Sequence, residues 1–151
     1  MGATVQWRSE PNREPERFGK IVTFGNLRDK GTGYMAFSER VGPSVLLVST
    51  DPGPDERTFA DWLMGEGFTV LVPQLSGLAP DVALRIVTAG AEHLVDNWHP
   101  RLGIVGIGDA GAWAEEVARA RPCDAVVTYA DVAALVEGRA ELADDFAYDL
   151  S

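Results

Sequence analysis

The stretch Leu102-Gly103-Ile104-Val105-Gly106-Ile107-Gly108-Asp109-Ala110-Gly111 opens as an unbroken apolar run and closes as a glycine-rich turn, ahead of the helically spaced Ala110, Trp113, Ala114 and Val117. A strand apolar at every position has no side for water, which marks a parallel strand buried on both faces. Three similar runs lie around it: Val45-Leu46-Leu47-Val48, Thr69-Val70-Leu71-Val72 and Ala125-Val126-Val127-Thr128. Between them, Phe59, Trp62 and Leu63 make one helical face, and Leu84, Val87, Ala91, Leu94 and Trp98 make another. Upstream, Ile21-Val22-Thr23-Phe24 and Gly33-Tyr34-Met35-Ala36-Phe37 flank a loop with Gly25-Asn26 and Lys30-Gly31, which is hairpin chemistry. The pattern predicts an α/β fold: a doubly wound, mainly parallel sheet with an antiparallel N-terminal hairpin.

Residues 1–18, crowded with Arg, Glu and Pro, read as an extended arm, 19–130 as the α/β domain, and 131–151 as an acidic amphipathic segment that Gly138 divides. The 151 residues suffice for one core. Their net charge of −10 opposes binding to nucleic acid or to an anionic membrane surface. No apolar run reaches the ~18 residues of a membrane span, and the first residues lack a signal-peptide core. The lone Cys123 excludes an intrachain disulfide and a thiolate metal cluster, and suits a reducing cytoplasm. Eleven arginines against two lysines point to a GC-rich, bacterial genome.

In sheets of this kind chemistry gathers outside the carboxyl ends of the strands. Ser49, Thr50, Asp51, Gln74, Ser76, Asp109 and Asp131 collect there and are candidates for a small-molecule pocket; capping and turn formation account for the same residue types. Three of them are aspartates, the oxygen ligands Mg²⁺ takes, but no spacing fixes their mutual distances, and no metal or cofactor is assigned. His93 and His99 end the second helix, at the opposite edge of the sheet. A five-residue strand spans roughly 16 Å, against the ~3 Å that proton transfer needs. Cys123 stands at that far edge too, as a buried small residue.

From the hairpin through the elbow-like turn, the chain resembles the dienelactone hydrolase family of α/β-hydrolases. The likeness runs from about Ile21 to Ala130. It includes Gly33-Tyr34-Met35-Ala36, the strand beginning at Ser44, the stretch Ala60-Asp61-Trp62-Leu63-Met64-Gly65-Glu66-Gly67-Phe68-Thr69-Val70-Leu71-Val72-Pro73, and the turn around Gly108. The resemblance implies an esterase-type fold whose nucleophile, Cys or Ser, stands at the apex of the turn. That position falls on Gly108, which has no side chain to attack with. The family's acid and histidine come from later strands, and the sequence ends before those are reached. Acyl transfer by this mechanism needs a nucleophile, a base and a group orienting the base; none is assigned.

The expectation is a catalytically inactive protein that binds or assembles, by self-association or docking to a protein partner, with Leu142, Phe146, Tyr148 and Leu150 as candidate anchors beside the uncovered last strand. Alternatively, the 131–151 segment caps its own core. A second reading is a small active hydrolase with Asp109 or Ser76 as an atypical nucleophile. A third is a nucleotide binder, because Gly106, Gly108 and Gly111 have the dinucleotide spacing, with Asp131 twenty positions on for a ribose.

Overall fold

The computed structural model describes residues 15–121 and 123–151. Six strands form one sheet: β1 (Arg17–Phe24), β2 (Gly31–Ser38), β3 (Ser44–Val48), β4 (Thr69–Pro73), β5 (Leu102–Ile107) and β6 (Ala125–Tyr129). Their order is β1-β2-β4-β3-β5-β6. β1 pairs antiparallel with β2 and β2 antiparallel with β4, while β4, β3, β5 and β6 run parallel. All residues of β3, β4 and β5 are buried, as their unbroken apolar sequences require.

The helices are α1 (Pro54–Gly65), α2 (Pro80–Asn97), α3 (Gly111–Ala120), α4 (Val132–Glu137) and α5 (Arg139–Asp149). Period-two alternation sends neighbouring strand residues to opposite layers. Leu46, Val48, Leu71 and Ile104 meet Val87, Ala91 and Leu94 of α2 and Ala114 and Val117 of α3. Val45, Leu47, Val70 and Val105 meet Phe59 and Leu63 of α1 and the carboxyl-terminal helices. Among the described residues, no helix is long and apolar enough to cross a membrane.

Two expectations change. The arm assigned to 1–18 ends earlier, because β1 starts at Arg17 and pairs in register from Arg17↔Ser38 to Phe24↔Gly31. Its sequence Arg17-Phe18-Gly19-Lys20 has no apolar alternation, since an edge strand can be held by backbone pairing with little burial; residues 1–14 lie outside the described residues. Leu142, Phe146 and Leu150 are also not surface anchors. They are at most 2% exposed, packed on the chain's own sheet, and only Tyr148, at 83%, faces water. The cause is Gly103: a Cβ there would come within 2.7 Å of the Phe146 ring, so the missing side chain makes the seat for that ring on β5. Helices α4 and α5 meet at Gly138, as the sequence predicts.

Candidate active site: the turn after β5

The buried strand β5 runs into a 3-10 turn, Gly108–Ala110, and then into α3. Gly108 has φ +59, and no residue other than glycine takes a positive φ among the described residues. This is the sharp strand-to-helix geometry that exposes a nucleophile in hydrolases. The three glycines of the turn do different work. A Cβ on Gly106 would lie 2.7 Å from the Gly111 Cα and 2.9 Å from the Ala114 Cβ, so Gly106 lets the helix close on the strand. A Cβ on Gly111 would lie 3.3 Å from Thr128 Cγ2 of β6. At Gly108 the nearest atom would be the Ala130 carbonyl oxygen at 3.4 Å, ordinary contact distance. The apex thus has room for a side chain and is exposed, yet carries none.

The other residues predicted at this edge are mostly committed to local structure. Asp131 Oδ1 accepts from the Ala134 amide at 2.8 Å and caps α4. Gln74 Oε1 accepts from the Ser76 amide at 3.0 Å, and the Ser76 hydroxyl donates to Asp51 Oδ1 at 2.5 Å, tying the loops after β3 and β4 together. Thr50 and Asp109 are exposed. Gln74 and Ser76 line a cavity of about 480 Å³ with Thr32, Leu78 and Ile86. The larger hollow, about 630 Å³, runs between the β1–β2 turn and α2 past Asn26, Asp29, Arg85 and His93, away from the apex. Among the described residues, no three His, Cys, Asp or Glu side chains stand together as metal ligands.

One polar residue of this edge escapes the sequence reading. Glu56 is buried, its Oε2 accepting from Ser49 Oγ at 2.8 Å and its Oε1 from the Gly53 amide at 3.0 Å. It ties the end of β3 to the start of α1. The available signal is its place three residues after the helix-capping Gly53, where a carboxylate reaches back to the cap amide.

Of the two histidines, His99 stands at the far edge as the sequence predicts, whereas His93 lies against Phe24, at the end of β1 that sits beside the carboxyl end of β4. His99 joins the start of β3, its carbonyl accepting from Ser44 Oγ at 3.0 Å and its Nδ1 from the Arg101 amide at 3.1 Å. His93 packs against the Phe24 ring at 5.9 Å, and burial lowers its pKa. Burial pushes the Cys123 thiol up, with the neighbouring Asp124 adding to the shift, which favours the protonated form, and the thiol donates to the Ala125 carbonyl at 3.7 Å.

In solved structures the same arrangement recurs. The dienelactone hydrolase of Anabaena variabilis matches 77% of this chain with a TM-score of 0.59 at 20% identity. The fold is that of an α/β-hydrolase. A carboxyl esterase of the fungus Tuber melanosporum matches 79% of the chain (TM-score 0.60, 18% identity), and a dienelactone hydrolase-like promiscuous phosphotriesterase from metagenomic libraries matches 75% (TM-score 0.63, 16% identity). The matched part of this chain spans 63%, 46% and 59% of those three proteins' own lengths, in that order. No family model matches the chain, and no curated protein matches it by sequence. At these identities the likeness is one of fold.

Proposed function

We propose that this is a non-catalytic protein of the dienelactone hydrolase type, acting as a binding or assembly subunit. The observation that carries the reading is Gly108: the elbow keeps its backbone geometry and its space while the apex lacks any group able to bond to a substrate. A turn without a nucleophile can bind but cannot take a covalent step. The two alternative nucleophiles gain no support. Ser76 is hydrogen-bonded to a carboxylate rather than to an imidazole, and Asp109 sits one residue past the apex, in the 3-10 turn. The nucleotide reading weakens as well, because Gly106 and Gly111 are accounted for by helix–strand contact and Asp131 by capping α4.

Turnover of a generic acyl ester tests the reading. The purified chain is expected to match the buffer rate, with Asp109→Asn and Ser76→Ala indistinguishable from it. Enzyme-dependent turnover abolished by either substitution would refute it.

A further inference from the structure

The two edges of the sheet are built differently. β1 carries Arg17 and Lys20, charges of the kind that discourage edge-to-edge pairing. β6 reads Ala125-Val126-Val127-Thr128-Tyr129, with no charge, proline or glycine, and among the described residues has a strand partner on one side only. Val126 is 39% exposed. This is an edge fit to accept another strand.

Carboxylates surround it. Glu115 lies one helical turn after Gly111, which faces Thr128 of β6, so it rises on the β6 side of α3. Glu141 and Asp145 of α5 stand near enough to Tyr129 at the other face to raise its phenol pKa, a smaller effect than burial. Asp131 follows the strand. Among the described residues, none of these four is ion-paired with a basic side chain, whereas Asp124, just before β6, is neutralised by Arg101 at 3.0 Å. A second copy brought edge to edge would add its own carboxylates to this rim and its own charge of −10, so the electrostatics disfavour self-pairing.

We propose that β6 docks an extended basic segment of a partner protein, which adds to the six-stranded sheet as a further strand with its lysines or arginines beside Glu115, Glu141 and Asp145. This deepens the binding-subunit reading and rests on it. Main-chain hydrogen bonds to β6 supply affinity, and the acidic rim selects charge.

The test uses the whole chain and two synthetic peptides of alternating valine and threonine, one with lysines at both ends and one with glutamates. The lysine-ended peptide is expected to bind, to weaken about tenfold or more as salt rises through the range that screens exposed charges, and to protect β6 amides from hydrogen exchange. Glu141→Lys combined with Asp145→Lys, both exposed positions, is expected to lose about tenfold in affinity with an unchanged circular dichroism spectrum. Equal binding of the glutamate-ended peptide, protection elsewhere than β6, no binding at all, or a dimer joined through β6 would each overturn the proposal. Ester turnover by the same preparation would instead sink the inert-apex reading and leave the peptide result standing.

Discussion

Gly106 and Gly108 are two positions apart, yet a methyl group meets a different obstacle at each. At Gly106 it collides with helix backbone, which cannot swing aside, and overpacking of that kind costs on the order of 1–3 kcal/mol. At Gly108 the space is adequate and the penalty is conformational, about 1–2 kcal/mol for a side chain held in the left-handed region. Urea denaturation is expected to show Gly106→Ala as the more damaging change, with Gly108→Ala losing about 1 kcal/mol. A reversed order would mean that the apex is crowded and the elbow geometry is misassigned. The sequence makes the glycine spacing visible but not the division of labour, since packing against Gly111 and a positive φ leave the same letter.

At the scale of elements, the carboxyl-terminal helices show what periodicity alone leaves open. The helical spacing of Leu135, Leu142, Phe146 and Leu150 is legible, and so is the break at Gly138; which surface receives them depends on Gly103, far away in the chain. Phe146→Ala is therefore expected to cost about 3–5 kcal/mol, the range for emptying a buried aromatic site, while Tyr148→Ala stays within about 0.5 kcal/mol, both read from denaturant midpoints. A small loss at Phe146 would restore it as a surface anchor. Helix α2 carries a pH dependence. Trp98 Nε1–H donates to His93 Nε2 at 3.2 Å, so the neutral ring keeps its proton on Nδ1, and protonating Nε2 would break that bond. With the folded pKa below the ordinary 6.5, the unfolded chain takes up the proton first as pH falls. The stability contributed by neutral His93 is thus complete above about pH 6.5 and lost as pH drops through the lower folded value. Thermal melting is expected to fall from pH 7 to pH 5 more steeply in the natural chain than in His93→Gln; parallel slopes would contradict it.

Across the whole molecule, the parallel strands, the hairpin and the alternation of helices follow directly from apolar runs and turn residues, because a strand buried on both faces has only one compositional solution. The start of β1 at Arg17 does not follow, since an edge strand held by backbone hydrogen bonds leaves little apolar signature. At the candidate site, the empty apex is legible in one residue, Gly108, but the commitment of Asp131, Gln74, Ser76 and Asp51 to caps and loop ties, and the buried Glu56, emerge only from three-dimensional neighbours. The proposed function rests on an acidic chain with an α/β-hydrolase-like fold whose turn after β5 carries glycine, without a reacting group, at its apex. Intact-mass spectrometry after incubation with excess fluorophosphonate tests this most directly. The protein is expected to keep its unmodified mass throughout; a stoichiometric adduct mapping to the carboxyl edge of the sheet would contradict the inert apex.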